Sequence, residues 1–130
     1  MSLEIERKFL VLNDDWRASA REAIQIVQGY GPAGPGGRRV RIDAGRGFLT
    51  LKRVFSARSR IEFEREISVK DAHELLDGFC GPERIEKTRY IVPCMEAFWE
   101  VDVFEGLNKG LVLAEIELET EEQAFGRPPW

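Results

Sequence analysis

Strict alternation of charged residues near the N-terminus constrains this chain more than any other feature of its sequence. In residues 3–11, LEIERKFLV, the charged residues Glu4, Glu6 and Lys8 occupy every second position. Because consecutive residues of a β-strand point to opposite faces, this spacing predicts a strand that presents all three side chains from one face. Two carboxylates and an ammonium on one face can hold a metal ion and an anion side by side.

The same alternation recurs along the chain and predicts a fold that is mainly β. An amphipathic helix is also predicted after Ser68, which has Asp71 three residues later, as in a capping box. Eight strands with few and short helices are typical of an antiparallel α+β fold or a barrel, and 130 residues predict a single domain over residues 1–130. The seven further predicted strands are 23–30, 38–44, 48–53, 60–69, 84–92, 98–104 and 111–119.

The charged faces of these strands allow two interpretations. In the first interpretation, the charged faces are exposed to water and the apolar faces form the core of a sandwich, as is usual for antiparallel sheets. In the second, they line the inside of a barrel. Acidic and basic residues dominate almost every strand and segregate into basic and acidic strands. A lumen of that kind is stable only when counter-ions fill it, which implies a highly anionic ligand with divalent cations.

Composition narrows the classes of function. The net charge of −4 argues against a general nucleic-acid binder. No apolar run approaches the roughly 20 residues that span a bilayer, and the first residues lack the basic and apolar regions of a signal peptide. Cys80 and Cys94 lack the spacing of metal ligands and are expected to be reduced thiols of a cytoplasmic protein. No membrane or nucleic-acid partner is therefore expected.

The glycine-rich stretch 29–37 formally contains the pattern G-x-G-x-x-G, at Gly29, Gly31 and Gly34. A dinucleotide fingerprint must follow a strand and open a helix. Here Pro32 and Pro35 interrupt the pattern and an arginine-rich strand follows. The stretch is therefore predicted to be a loop.

The charged motifs, taken together and in order, resemble those of the CYTH superfamily, the triphosphate tunnel metalloenzymes. The segment Glu4-x-Glu6-x-Lys8 matches the ExExK signature of that family, and a further motif matches on each of six other strands, in order along residues 4–119. These six are Arg39-Val40-Arg41, Leu49-Thr50-Leu51-Lys52, Glu62-Phe63-Glu64, Lys87-Thr88-Arg89, Trp99-Glu100-Val101-Asp102 and Glu115-Ile116-Glu117. This resemblance favours the barrel with an inward charged face.

The resemblance implies an eight-stranded antiparallel β-barrel, open at both ends, with short helices packed outside. It also implies hydrolysis or cyclisation of triphosphate compounds, with one or two Mg²⁺ or Mn²⁺ ions as cofactors. The small size of the chain and the lack of a base-stacking loop favour hydrolysis of inorganic triphosphate, which carries no nucleoside. Residues matched to the phosphate-binding positions are Lys8, Arg39, Arg41, Lys52, Lys87 and Arg89. Residues matched to the metal-binding positions are Glu4, Glu6, Glu62, Glu64, Asp102, Glu115 and Glu117. The residues expected to act in catalysis are Glu4, Glu6, Lys8 and Lys87, with Tyr30 or Gln28 as weaker candidates for phosphate binding.

Several alternatives stay open at this stage. Related enzymes of this kind include class IV adenylate cyclases and thiamine or nucleoside triphosphatases, and a non-catalytic polyphosphate-binding module would need only the basic strands. Many relatives continue past the last acidic strand with a segment that helps close one tunnel mouth, whereas this sequence ends at Trp130. A more open tunnel, or a closing segment outside this sequence, is expected. Outward apolar residues such as Trp99 and Phe63 are expected either to pack under helices or to form a homodimer interface.

Overall fold

The structure is a computed structural model that describes residues 2–31, 37–54 and 56–130. Its eight strands are joined by one α-helix and two short 3-10 helices, at Asp15–Ser19 and Gly106–Asn108. The strands are β1 (Ser2–Leu10), β2 (Glu22–Tyr30), β3 (Arg38–Asp43), β4 (Arg46–Val54), β5 (Ser59–Ile67), β6 (Ile85–Cys94), β7 (Ala97–Glu105) and β8 (Val112–Leu118), and the helix is α1 (Val69–Gly78). Each predicted strand is present, with its ends within two residues of their expected positions.

The strands form one closed antiparallel barrel in the order β1-β5-β4-β3-β2-β6-β7-β8. The ring closes because β1 pairs on one edge with β5 and on the other with β8, where Lys8 lies opposite Glu115. This confirms the mainly β barrel with helices outside. The predicted glycine-rich loop falls largely on residues 32–36, which lie outside the described residues.

Tight turns keep neighbouring strands adjacent. Ala44 and Gly45, both at positive φ, connect β3 to β4, and Met95 and Glu96, also at positive φ, connect β6 to β7. Two-residue turns of this handedness match the right-handed twist of the strands that they join. They fix the strand register, and therefore fix which side chains point into the barrel.

Two apolar clusters cover the outside of the barrel. The first surrounds Trp99 on β7, whose ring packs edge-on against Trp130 with centroids 5.9 Å apart, and it includes the fully buried Trp16. The second forms where Leu76 and Ala72 of α1 cover Val40 on β3. Together, the two clusters bury part of the apolar outer face that the alternation predicted, and other outward residues such as Leu51 stay exposed.

Helix α1 begins as predicted, because the Ser68 hydroxyl accepts a hydrogen bond of 3.0 Å from the Asp71 amide. Neither this ten-residue helix nor another in the described part of the chain is long and apolar enough for a bilayer crossing. Of the two outward residues singled out above, Trp99 is covered by the C-terminal residues, whereas Phe63 is 43% exposed. A homodimer that uses the face of Phe63 stays a prediction.

Candidate active site

The inner faces of the strands enclose a charged cavity of about 180 Å³. Each of the eight strands contributes at least one side chain to its wall, so the cavity depends on the complete barrel. The lining residues are Glu4, Glu6, Lys8, Gln28, Tyr30, Arg39, Arg41, Lys52, Arg60, Lys87, Arg89, Glu100 and Glu115. All six predicted phosphate-binding residues, and both weaker candidates, are in this set.

The cations of the cavity differ in depth. Arg39 and Lys87 are only 7% and 6% exposed, whereas half of the Lys8 side chain is accessible at the surface. Burial lowers the pKa of both Arg39 and Lys87 from their usual values. Seven cations and four carboxylates line a cavity in a chain whose net charge is −4, so positive charge is concentrated where an anion would enter.

Asp102 holds two of these cations in place. Its carboxylate is fully buried and accepts hydrogen bonds from Lys87 Nζ at 2.7 Å and from the Arg89 guanidinium at 2.8 and 3.0 Å. Burial alone would raise the pKa of Asp102, but the hydrogen bonds and charge of Arg89, with Lys87, lower it below the usual range. Both oxygens are used by the cations, so the predicted role of Asp102 as a metal ligand gains no support from this arrangement.

Glu4 and Glu62 form an acidic pair beside Lys52. Lys52 Nζ lies 3.7 Å from Glu4 Oε2 and 3.4 Å from Glu62 Oε2. Burial raises the pKa of Glu4 to about 6, and its side-chain hydrogen bond with Glu62 adds to this rise. For Glu62, burial is outweighed by the hydrogen bond with Glu4 and by the charge of Lys52, which hold its pKa at about 2. In the metal-free protein Glu4 is therefore the first of the two to take up a proton as the pH falls, while Glu62 stays charged.

A second acidic group lies across the β1–β8 seam. Lys8 Nζ is 3.6 Å from Glu6 Oε1 and 3.8 Å from Glu115 Oε1. On its other side, Glu115 lies opposite Glu100 of β7, which reaches Arg89 at 3.1 Å. Burial raises the pKa of Glu100, and Arg89 opposes this rise. The carboxylates of the wall therefore come from the adjacent strands β7, β8 and β1, whereas β3, β4, β5 and β6 contribute cations.

The seven predicted metal ligands are not gathered into one cluster. Glu4, Glu6 and Glu115 line the cavity and Glu62 contacts Glu4, but the side chains of Glu64 and Glu117 are exposed and do not line it. Within residues 2–31, 37–54 and 56–130, no three His, Cys, Asp or Glu side chains lie close enough together to hold a metal ion. Four of the seven predicted ligands are thus found in two adjacent acidic groups, Glu4 with Glu62 and Glu6 with Glu115.

The acidic wall nevertheless suits a hard divalent cation. The Oε2 atom of Glu4 is buried and, among the described residues, accepts no hydrogen bond, although cations lie 3.4 and 3.7 Å away. A buried carboxylate oxygen that accepts no hydrogen bond has lone pairs available to a cation that approaches more closely. Carboxylate oxygens are the ligands that Mg²⁺ and Mn²⁺ prefer. Glu4 and Glu6, with Glu62 and Glu115 beside them, therefore fit such an ion.

Two residues of the cavity wall, Arg60 and Glu100, had no role assigned to them from the sequence, although Glu100 lies in one of the matched motifs. Arg60 lies opposite Glu4 in the register of β1 and β5, and Glu100 lies opposite Glu115. The alternation could have identified both residues. Arg60 is two residues before Glu62, and Glu100 two residues before Asp102, so each shares the charged face of its strand. Arg60 escaped notice because it stands in an acidic strand and outside every motif of the family.

Comparison with known proteins places these residues in a family. A sequence model of the CYTH domain matches residues 2–130. The chain is 41% identical to an inorganic triphosphatase of Acetivibrio thermocellus, over all of this chain and 83% of that protein. It is 38% identical to an inorganic triphosphatase of Nitrosomonas europaea, over 98% of this chain and 85% of that protein.

Solved structures agree with the fold. The crystal structure of the inorganic triphosphatase NE1496 superposes with a TM-score of 0.66 and 34% identity, over all of this chain and 84% of that one. A structure of a putative adenylate cyclase from Bacillus halodurans has the same TM-score at 17% identity, over 94% of this chain and 84% of its own. The second likeness concerns the fold alone.

Proposed function

The chain belongs to the CYTH domain family, and on that premise we propose that it is a metal-dependent enzyme that hydrolyses inorganic triphosphate inside the barrel. The observation that carries the proposal is the cavity wall, where basic side chains and carboxylates from all eight strands face one small space. The relatives at 41% and 38% identity, both inorganic triphosphatases, support the same substrate.

Phosphate binding is assigned to Lys8, Arg39, Arg41, Lys52, Lys87 and Arg89. Arginine binds phosphate oxygens through a planar fork, and lysine acts as a compact charge. Because Asp102 fixes Lys87 and Arg89, these two cations need little reorganisation when charge develops on the leaving diphosphate. We assign Lys87 a catalytic role for this reason, and Lys8 guides the substrate from the mouth.

Metal binding is assigned to Glu4 and Glu6, with Glu62, Glu64, Glu115 and Glu117 as further candidates. A bound Mg²⁺ or Mn²⁺ would supply positive charge that polarises phosphate oxygens and favours displacement at phosphorus. A carboxylate beside the ion would position the attacking water and accept its proton. No Ser, Cys or His is required as a nucleophile.

Phosphate release from tripolyphosphate, ATP and thiamine triphosphate, each with Mg²⁺, Mn²⁺ or EDTA, tests the assignment. We expect tripolyphosphate to be the preferred substrate and EDTA to abolish turnover. Equal rates with metal and with EDTA would contradict the metal requirement. Cyclic AMP formed from ATP would instead identify a cyclase, and a preference for thiamine triphosphate would change the substrate.

Glu4→Gln combined with Glu6→Gln separates an enzyme from a binding module. We expect the double variant to lose at least about 100-fold in kcat, the usual scale for removing groups that stabilise a transition state. Glu74→Gln, an exposed position on α1, is the control for the change in charge. The binding module would be favoured by two results together. The wild type would show no turnover, and the double variant would bind polyphosphate as tightly as the wild type or more tightly.

We also place the reaction in the cytoplasm. Both cysteines are free thiols in the structure, and they pack against different apolar clusters, Cys80 beside α1 and Cys94 at the end of β6. Free thiols are usual in reducing compartments. Fractionation of the cells that produce the protein tests this placement.

A further inference from the structure

Arg60 reaches from β5 into the cavity and contacts two acidic side chains at once. Its Nε atom lies 3.4 Å from Glu4 Oε2, and its Nη2 atom contacts Glu6 Oε1. The side chain is 22% exposed and lies on the cavity wall. A single guanidinium therefore bridges the two carboxylates that the proposed function assigns to the metal.

The other cavity cations are arranged differently. Lys52 pairs with Glu4 but not Glu6, and Lys8 pairs with Glu6 but not Glu4. Lys87 and Arg89 are held by Asp102. In the part of the chain that the structure describes, Arg60 alone contacts both Glu4 and Glu6. Arg60 therefore contacts the same two carboxylates that a divalent ion would need as ligands.

The surroundings of Arg60 also open outwards. Arg60 lines a second cleft at the barrel mouth, together with Glu6, Arg7, Lys8, Ala57 and Arg58. The Arg60 Nε atom has no hydrogen-bond partner among the described residues, so its interaction with Glu4 is that of a neighbouring charge. A long side chain in this position can leave Glu4 and Glu6 and turn to the mouth without losing a well-formed hydrogen bond at Nε.

We propose that Arg60 competes with the divalent metal for Glu4 and Glu6, and that metal binding releases it to the mouth to bind the incoming triphosphate. The proposal rests on the proposed function for its metal and its substrate. Before the metal binds, the guanidinium neutralises the two carboxylates. After binding, the same positive charge adds to Lys8 and Arg58 at the entrance, where it attracts phosphate. Arg60 is thus a substrate-binding residue whose availability at the mouth depends on metal loading.

Arg60→Gln tests the competition directly. Mn²⁺ binding to the metal-free protein is titrated by electron paramagnetic resonance and calorimetry, without any substrate. We expect the variant to bind Mn²⁺ about tenfold more tightly or better, because a competing charge-assisted contact is removed. Arg65→Gln is the matched control, since Arg65 lies on the same strand, is exposed, and loses the same charge. Mn²⁺ affinity that is unchanged or lower in Arg60→Gln would overturn the proposal.

The second arm measures tripolyphosphate hydrolysis at saturating Mn²⁺. We expect KM to rise about tenfold in Arg60→Gln, with kcat changed much less, because binding charge at the mouth is lost. A merely structural Arg60 would weaken metal binding and substrate binding together, whereas competition moves them in opposite directions. Unchanged KM would overturn the release to the mouth.

Arg60→Lys and thermal unfolding keep the result interpretable if Arg60→Gln folds poorly. The lysine retains the charge but cannot contact two carboxylates through a planar fork. We expect its Mn²⁺ affinity to lie between those of the wild type and Arg60→Gln, and wild-type affinity or lower would count against the proposal. The metal titration needs no turnover, so it remains informative even if tripolyphosphate is not the substrate.

Discussion

Individual charged residues in this barrel act through pairs, and the pair of Glu4 and Glu62 has a consequence that can be measured without substrate. Glu4 has a pKa of about 6 in the folded chain against 4.5 without the fold, because it is buried beside a second carboxyl group. A raised pKa in the folded state contributes stability that is present below pH 4.5 and is lost as the pH rises through 6. Glu62 shifts the opposite way, and its contribution is lost only as the pH falls from 4.5 towards 2.

The metal-free wild type should lose stability as the pH rises from 4.5 to 7, because Glu4 ionises there. We expect Glu4→Gln, which cannot ionise, to lack this loss. Thermal unfolding in EDTA across this range is the measurement. The difference in Tm between variant and wild type should grow in favour of the variant as the pH rises. A difference that stays constant over the range would show that Glu4 does not titrate there.

Asp102 gives a second prediction at the scale of one residue. Asp102→Asn leaves Lys87 and Arg89 buried without their counter-ion, and breaking a buried ion pair in this way costs about 3–5 kcal/mol. We expect a large fall in unfolding free energy from urea denaturation and a lower kcat. If Asp102 acts through the cations, Mn²⁺ affinity without substrate should change little. A marked loss of Mn²⁺ affinity would restore Asp102 as a metal ligand.

At the scale of elements, α1 lies so close to β4 that only glycine fits at the contact. A Cβ atom at Gly47 would lie 2.9 Å from Ala72 Cβ, 2.9 Å from the Ser68 carbonyl oxygen and 3.0 Å from the Ile67 carbonyl oxygen. Two of these atoms are backbone, so the helix would have to move as a whole. Overpacking of this kind typically costs about 1–3 kcal/mol.

We expect Gly47→Ala to lower the unfolding free energy by about that amount, with the helix displaced from Val40. Gly78→Ala is the control, because a Cβ at Gly78, in the same helix, meets no atom within 4 Å. That variant should be neutral or slightly more stable, since alanine favours helix more than glycine does. Equal stability of both variants would show that α1 adapts easily to the barrel.

The same elements show what sequence alone can predict. Alternation placed all eight strands, and the capping pattern at Ser68 placed the start of α1, because both signals depend on local spacing. The site was predicted less completely. The odd or even position of a residue along its strand (its parity) decides whether the side chain faces inwards. How deep that side chain lies in the barrel depends on how the eight strands are staggered when the ring closes. For that reason Glu64 and Glu117 are exposed, although their parity matches that of the cavity residues.

The ion pairs within the cavity could not be predicted from the sequence either. Asp102 and Glu100 have the same parity on one strand, yet Asp102 is fully buried between two cations while Glu100 lines the open cavity. Arg60 comes to bridge Glu4 and Glu6 only because β1 pairs with β5 in the register that closes the barrel. The contacts of Arg60 join residues more than fifty positions apart, and those of Asp102 join residues 13 and 15 positions apart on neighbouring strands, which no local pattern encodes.

At the scale of the whole molecule, the cavity makes the substrate part of what holds the barrel together. Every strand contributes to the wall, and seven of the side chains that line it are cations. Like charges that converge on one space destabilise the empty barrel, and an anion bound between them reverses that effect. A ligand that binds only the folded chain raises its stability by about 2.7 kcal/mol at 100 times its Kd.

We therefore expect tripolyphosphate, added in EDTA so that no turnover occurs, to raise the Tm of the whole barrel in one cooperative transition. Sodium chloride at equal ionic strength is the control for screening, and Lys87→Ala with Arg39→Ala should reduce the shift because it removes the two deepest cations. Fluorescence of Trp16, Trp99 and Trp130, which lie outside the cavity in the outer cluster, reports whether the effect reaches the opposite face of the sheet. A shift confined to circular dichroism of the strands, with tryptophan unfolding at the unliganded Tm, would contradict a barrel that the anion stabilises as one unit.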